Sequence, residues 1–212
     1  MSVKLGSTSI GSLYLGSIKI SEAYLGNVKV YASADPYNPL GLPAYTIRLK
    51  FNGFNTPTFS KGAAVQVSSS PNVWDLTYSD SDWSNLLQNQ YSLIEVLGAN
   101  TSSVTTMEGM FAGCQSLTTI PVFDTHAVTN MSSICNYCSS LTNVPLLNTS
   151  SVQAIGFAFN ECRYVESGAY ALYQQVSSQS PQPYFYSNCF TNCGINTTTG
   201  AADLARIPSG WK

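Results

Sequence analysis

The stretch MEGMFAGCQSLTTIP, residues 107–121, decides the fold because its pattern recurs along the chain with a 24-residue period. Equivalent positions carry identical or similar side chains: Val104, Val128 and Val152; Met107, Met131 and Ile155; Cys114, Cys138 and Cys162; Leu117, Leu141 and Val165. Apolar residues three and four apart predict a helical turn over residues 107–114. Residues 117–121 then predict a short strand that ends at proline.

A 24-residue period lies within the roughly 20–29 residues of leucine-rich repeats, whose units bury their apolar faces by stacking on each other. We therefore expect an α/β solenoid over residues 101–168, with two clear coils and a third that decays after Val165. A helix is expected within residues 166–179. The Phe190–Cys193 spacing echoes that of Phe111 and Cys114, and residues 169–212 are expected to form a helix and a C-terminal cap.

The cysteines follow the repeat. Cys114, Cys138 and Cys162 occupy one repeat position, which predicts a column of small buried side chains. Cys135 and Cys138 also have the C-x-x-C spacing of metal and redox sites. A zinc site and disulfide bonds therefore remain open alternatives, although the repeat explains both residues and we predict no metal and no cofactor.

Residues 44–100 predict a small α+β module, after a proline-rich linker at residues 32–43. Alternating apolar residues indicate strands at 45–51, 64–67 and 72–78. Asp80 and Asp82 precede the apolar run that begins at Trp83, which predicts a helix N-cap. A calcium site is the alternative for these two carboxylates.

Residues 1–31 contain a ten-residue repeat that predicts a β-ribbon. Such a ribbon is marginally stable alone, so it must bury its apolar side chains against a partner or against the downstream chain, two alternatives that we weight equally. Five side chains are the predicted partner contacts: Leu5, Tyr14, Leu15, Tyr24 and Leu25.

Composition excludes some function classes. Charged residues make up 9% of the chain and the net charge is −2, which leaves no basic field for nucleic acid. No run approaches the ~20 apolar residues of a membrane-spanning helix. The start of the chain, Met1 to Gly6, lacks an apolar signal core, so we expect export in an assembled particle or with a partner.

A search for catalytic groups predicts a protein that is not an enzyme. The chain has one histidine, His126, in a repeat junction, and it lacks a G-x-S-x-G nucleophile motif and a phosphate-binding loop. The segment Pro181–Tyr186 is different, because three adjacent aromatic residues are difficult to bury together. We predict a contact surface at Tyr184, Phe185 and Tyr186.

These motifs carry a resemblance. Residues 107–121 resemble the repeat of BspA-like leucine-rich-repeat surface proteins, and the segment Asp124–Met131 is similar to their D-T-S-x-V-T-x-M junction. Residues 148–155 are a weaker copy, and the match covers about residues 100–168. Residues 46–100 and 190–212 are similar to flanking modules of such repeats in gut bacterial and phage proteins, and the ten-residue units resemble N-terminal segments of structural proteins of gut-bacterial tailed phages.

The resemblance implies a mixed, β-rich virion fibre or structural protein of the head or tail, in a crAss-like phage context. Its N-terminus would attach it to other virion proteins, and its body would serve adhesion to a host surface protein or glycan. A homo-oligomer is expected, and a trimer by analogy with fibres. The alternatives are a bacterial cell-surface adhesin and a carbohydrate-binding or carbohydrate-active module.

Overall fold

The computed structural model describes Asp35, residues 37–53, 56–69 and 71–212, and four short strands that precede residue 31. The strands are β1 (Tyr14–Leu15), β2 (Ile18–Lys19), β3 (Ala23–Leu25), β4 (Val28–Val30), β5 (Thr46–Phe51), β6 (Ala63–Ser69), β7 (Asn72–Thr77) and β8 (Leu93–Ala99). Two short helices follow, α1 (Ala169–Ser177) and α2 (Thr198–Arg206), and a 3-10 turn at Ser209–Trp211. The expectation of a mixed, β-rich fold is confirmed.

The N-terminal strands pair as two small antiparallel hairpins. Strand β1 pairs with β2, with Tyr14 opposite Lys19, and β3 pairs with β4, with Tyr24 opposite Lys29. Alternating apolar and polar residues favour this extended conformation. Leu15 and Leu25 also lie on these strands, whereas Leu5 lies outside the described residues. The partner-contact role of all five residues stays a prediction.

Strands β5 to β8 form a four-stranded antiparallel sheet in the order β6-β7-β5-β8. The alternation in β5 explains its orientation, because Ile47, Leu49 and Phe51 are buried in the core. The intervening basic residues lie on the opposite face. There Arg48 makes a two-point bond to Asp75, with both N–O distances at 2.7 Å.

The 24-residue units lie side by side in parallel register. Parallel bridges link Asp82 to Thr106, Thr106 to Asn130, Asn130 to Ala154 and Ala154 to Phe185. We call the units that begin at these five residues the first to fifth units. A second line of bridges joins Glu95 of β8 to Thr119, and Asn143 to Ser167. Strand β8 therefore belongs both to the sheet and to the first unit.

The predicted helical turn over residues 107–114 is wrong. These residues form consecutive turns, because alternate N–H groups donate to the next unit rather than along their own segment. The bonds run from Met107, Gly109, Phe111 and Gly113 to the carbonyl oxygens of Asn130, Ser132, Ile134 and Asn136, at 2.7–2.9 Å. An α-helix would direct the same N–H groups to carbonyls four residues back.

Two backbone positions in every unit have a positive φ. They are Asn85 and Asn89, Gly109 and Gly113, Ser133 and Tyr137, Phe157 and Glu161, and Asn188 and Asn192. Glycine and asparagine tolerate this left-handed conformation best, which explains six of the ten residues. The left-handed residues interrupt any helical run, so alternate N–H groups, including their own in the first four units, donate to the neighbouring unit.

We call the stack of hydrogen-bonded units the ladder. It begins before the clear sequence repeat. The N–H groups of Trp83, Asn85, Leu87 and Asn89 donate to the second unit at 2.8–3.0 Å. The predicted helix after Asp82 is therefore wrong, since turns occupy residues 84–89. These bonds join residues on the two sides of the predicted module boundary at residue 100. The module boundaries themselves stay predictions.

The ladder also continues past the fourth unit, the last of the three that the sequence repeat marks. Ile155, Phe157, Phe159 and Glu161 donate to Phe185, Ser187, Cys189 and Thr191 at 2.7–3.1 Å. Equivalent residues of the fourth and fifth units are further apart in sequence than those of the earlier units, because α1 lies within the connection between them. Phe190 then donates to the carbonyl of Trp211 at 2.9 Å, so the last described residues cover the end of the ladder.

One apolar core runs through the sheet and the ladder. It includes Leu49 of β5, Trp83, Phe111, Phe159 and Trp211. Aromatic rings stack within and between units, with Phe111 on Phe123 at 6.1 Å and Phe159 on Phe190 at 6.2 Å between ring centroids. Each unit thus buries its apolar side chains against its neighbours.

Candidate functional site

The cysteine column is a structural feature of the ladder. Cys114, Cys138 and Cys162 are fully buried, and each Sγ–H donates to a backbone carbonyl of the preceding unit. The acceptors are Leu87, Phe111 and Cys135, at 3.0, 3.1 and 3.0 Å. The thiols therefore connect neighbouring units by hydrogen bonds.

Burial also disfavours the reactive form of the Cys162 and Cys193 thiols. It raises the pKa of Cys162 well above its usual value and that of Cys193 to about 12. The thiolate, which is the reactive and metal-binding form, is disfavoured at neutral pH. All six cysteines have free thiols, and within the described ranges no group of three or more Cys, His, Asp or Glu side chains is placed to hold a metal ion.

His126 lies in an exposed junction between units. Its Nδ1 is 2.7 Å from an Asp124 carboxylate oxygen, and 58% of its side chain is exposed. Ser151 lies close by, but its hydroxyl donates to the backbone carbonyl of His126 at 2.6 Å. The three residue types of a hydrolytic triad are adjacent, yet the serine proton is not directed to the imidazole ring, as a nucleophile–base pair requires.

The carboxylates of Asp80 and Asp82 accept hydrogen bonds from nearby backbone N–H groups. Asp80 accepts a hydrogen bond from the N–H of Asp82 at 3.0 Å, and Asp82 accepts one from the N–H of Ser84 at 2.8 Å. Hydrogen bonds from the Ser84 side chain and backbone lower the pKa of Asp82. Both carboxylates thus stabilise the turn that leads into the first unit.

The three predicted contact aromatics take different positions. Tyr184 projects outward with 80% of its surface exposed. Phe185 packs on Phe157, with ring centroids 6.0 Å apart, and Tyr186 stacks on Trp211 at 4.4 Å. The loop therefore offers one free ring, supported by two that are partly buried.

An open groove of about 800 Å³ lies beside Tyr184. One wall comes from the junctions of the third and fourth units, and the other from the segment between α1 and the fifth unit. The side chains that line it are uncharged: Thr129, Ser150, Ser151, Val152, Gln153, Gln179, Ser180, Pro181, Gln182 and Tyr184. This groove is the candidate site, and it can offer hydroxyl, amide and aromatic contacts.

Sequence reasoning found only Tyr184 among these lining residues. The other side chains are mostly ordinary polar residues, with Val152 and Pro181 among them, and they meet because the ladder brings residues 129, 150–153 and 179–182 together. A signal was nevertheless present at the junctions. Thr101, Thr125 and Thr149 recur with the 24-residue period and are buried, and Thr149 accepts two of the glutamine bonds that shape the groove.

Among the helices that the structure describes, none is long and apolar enough to cross a membrane. Comparisons with curated proteins and with solved structures found no match. The sequence model of one family, described as "Mycoplasma protein of unknown function, DUF285", matches residues 59–179. This range includes most of the sheet, the first four units and α1, and it exceeds half of the chain. The chain therefore belongs to the DUF285 family, which is associated with BspA-like surface proteins.

Proposed function

We propose that this chain is a non-enzymatic structural protein of a phage virion, in the head or the tail. Residues 1–31 attach it to other virion proteins or to further copies of itself. The body, residues 44–212, presents a short solenoid of leucine-rich-repeat type for adhesion to a host or to a neighbouring virion protein. The virion setting rests on the resemblance of the ten-residue units to N-terminal segments of phage structural proteins, and of residues 46–100 and 190–212 to modules found in gut bacterial and phage proteins.

The observation that carries the proposal is the ladder of five units with one continuous core. Equivalent residues in neighbouring units are joined by parallel bridges, which is the relation that a solenoid requires. Such an array provides a rigid body whose outer positions can vary without disturbing the core. A display or binding role uses these properties directly.

The described titratable groups favour binding over catalysis. The thiols are buried, Asp80 and Asp82 bond to their own turn, and the Ser151 hydroxyl is directed to a carbonyl. The groove beside Tyr184 is lined by uncharged side chains, with no His, Asp, Glu, Lys or Cys among them to act as an acid–base catalyst.

Substitution of the N-terminal leucines in the full chain tests the attachment role. Changing Leu5, Leu15 and Leu25 to Ser removes apolar side chains that we expect to be buried against a partner. The matched control changes Ser7, Ser17 and Asn27 to Ala at the same ten-residue spacing. Light scattering after size-exclusion chromatography is expected to show smaller particles for the leucine variant only. Unchanged size and unchanged incorporation into particles would exclude the attachment role.

A bacterial cell-surface adhesin is the second candidate. The association of the DUF285 family with BspA-like surface proteins favours it. Antibodies against the purified chain distinguish the two settings, because they label isolated phage particles in the first case and cell envelopes in the second. The neighbouring genes provide an independent test, since capsid genes would support the virion setting and cell-wall genes the cell-surface setting.

A further inference from the structure

We propose that the groove beside Tyr184 binds a neutral oligosaccharide. This inference rests on the adhesive role proposed above and names the class of ligand. The groove lies between the junctions of the third and fourth units on one side and residues 179–184 on the other. Its volume of about 800 Å³ is within the usual 300–1,000 Å³ of small-ligand sites.

The free ring of Tyr184 provides the apolar contact. The backbone N–H of Tyr184 donates to the Gln153 carbonyl at 2.9 Å, which ties the loop to the junction before the fourth unit. The next residue, Phe185, packs on Phe157 and fills the space above Gly156. The ring therefore stands on a fixed backbone while 80% of the residue is exposed. A ring held in this way presents an apolar face on which the C–H side of a sugar can lie.

Two glutamines of the groove are held in place by hydrogen bonds. Gln179 donates through Nε2 to the carbonyl and the hydroxyl of Thr149, both at 2.6 Å. Gln182 donates through Nε2 to the Ser177 carbonyl at 2.7 Å. These bonds leave both Oε1 atoms unbonded within the described part of the chain. Fixed acceptors suit sugar hydroxyls, which donate and accept, and preorganisation lowers the entropy that binding costs.

The opposite wall supplies groups that have no described partner. The Gln153 amide makes no side-chain hydrogen bond among the described residues, and the Ser150 hydroxyl makes none either. Together with the two glutamines of the loop, they place donors and acceptors on both walls of the groove.

The charges select among ligand classes. The lining has no Lys, Arg, Asp or Glu, so sialylated or uronic-acid glycans and nucleic acids would lack a counter-charge. Peptide ligands usually anchor apolar side chains in pockets or add a strand to a sheet edge. The apolar part of this lining is limited to Val152, Pro181 and Tyr184. Neutral sugars fit this combination of one ring with several amides and hydroxyls best.

Binding of the full-length chain to immobilised glycans tests the proposal. The probes are neutral oligosaccharides of glucose, galactose, mannose and N-acetylglucosamine, with sialylated and uronic-acid oligosaccharides and an uncharged peptide library for comparison. We expect retention by at least one neutral oligosaccharide and none by the acidic set. Calorimetry with the retained sugar then measures affinity.

Three variants locate the site. Tyr184→Ala is expected to weaken the affinity for the retained sugar about tenfold, the scale of an aromatic contact worth ~1.4 kcal/mol. Tyr184→Phe keeps the ring and should stay within about threefold of wild type. Tyr164→Ala removes another exposed tyrosine outside the groove and should leave binding unchanged.

Absence of any neutral ligand, preference for acidic glycans or peptides, or equal affinity of Tyr184→Ala and wild type would each overturn the proposal. The N-terminal leucine variant separates this site from the attachment role. Its affinity for a monovalent sugar in solution should be unchanged even if its oligomeric state changes. Failure of sugar binding with intact assembly would therefore reject the groove alone, and the converse would reject the attachment role alone.

Discussion

At the scale of single residues, the ladder depends on a backbone conformation that most side chains disfavour. Ser133, Tyr137, Phe157 and Glu161 occupy the left-handed positions that glycine holds in the second unit. A left-handed L-residue costs roughly 1–2 kcal/mol. The hydrogen bonds between units and the burial behind them offset this cost, so these positions are open to stabilising substitutions.

Tyr137→Asn is expected to raise the free energy of unfolding by ~0.5–1 kcal/mol, because asparagine tolerates a positive φ better than tyrosine. Tyr137 has a φ of 59° and is 54% exposed, so little burial is lost. Tyr164→Asn is the control, since Tyr164 is similarly exposed without a positive φ. Urea denaturation compares the two variants. A less stable Tyr137→Asn protein would contradict the assigned strain.

Glu161 predicts a dependence of stability on pH. Hydrogen bonds from Asn192 and then Arg163 lower the pKa of this carboxyl below its usual 4.5. A carboxyl with a lowered folded-state pKa stabilises the protein above its unfolded pKa, and this contribution is lost as pH falls through the folded pKa. Glu161→Gln should therefore be less stable than wild type at pH 7, with the difference shrinking below about pH 4. Denaturation curves from pH 7 to pH 3 measure this, and a pH-independent difference would contradict it.

At the scale of elements, close backbone approach decides which connections are possible. Gly168 precedes α1 with a φ of 94°, and a Cβ at this position would collide with the carbonyl of Val144. The chain can therefore leave the fourth unit and begin α1 only because residue 168 has no side chain.

Strand β6 forms one edge of the sheet, and most of its residues are exposed.

Gly168→Ala is expected to lower the free energy of unfolding by more than ~2 kcal/mol, because a left-handed alanine is strained and its Cβ meets backbone. Gly53→Ala separates the two causes, since Gly53 has a φ of 73° and, among the described residues other than its chain neighbours, no atom lies within 4 Å of the place that its Cβ would occupy. It should lose only the ~1–2 kcal/mol of strain. Equal losses in chemical denaturation would show that the contact with Val144 has no effect.

Val65→Lys is expected to reduce self-association of the chain. Val65 is 67% exposed on β6, an edge strand with no charged residue between Ala63 and Ser69, and such edges pair with other chains. A lysine there opposes edge pairing by its charge. Val122→Lys adds the same charge at an exposed valine outside the sheet. Light scattering over a concentration series should show less association for Val65→Lys only, and equal behaviour would exclude the β6 edge.

At the scale of the whole molecule, the sheet and the ladder share one core, which predicts cooperative unfolding. Strand β8 pairs with β5 in the sheet and bridges to the second unit through Glu95 and Thr119. Buried tryptophans lie near both ends of the ladder, Trp83 in the first unit and Trp211 behind the fifth. Their fluorescence therefore follows unfolding at both ends of the ladder.

Phe159→Ala is expected to lower the free energy of unfolding by ~3–5 kcal/mol, since the ring is fully buried and stacks on Phe190 beyond the α1 insertion. Phe111→Ala removes the equivalent ring two units earlier and should cost a similar amount. Tryptophan fluorescence and circular dichroism should give coincident transitions for both variants. Separate transitions would mean that the two parts of the core unfold independently.

The apolar pattern predicted a large part of this fold. The strands at β5, β6 and β7, a helix within residues 166–179 and the burial of the cysteine column all follow from side chains that recur at short, regular intervals. The helical turns predicted at residues 107–114 and after Asp82 are wrong, because apolar residues three and four apart suit an α-helix and a turn of a stacked unit equally well. The two structures differ in which carbonyl groups accept hydrogen bonds from the backbone N–H groups. In this protein the acceptors lie in the neighbouring unit, which is distant in sequence, so the local pattern does not reveal them.

The sequence by itself therefore determined the 24-residue period, the strands and the residues that face the core, since each follows from local hydrophobic spacing. Only the tertiary structure decided that Asp82 and Phe185 begin equivalent units, because Asn85 and Asn188 replace the glycine at a left-handed position and the insertion of α1 lengthens the spacing before the fifth unit. It alone formed the groove, because the polar side chains of its walls are brought together by stacking of the units, and no local pattern marks them.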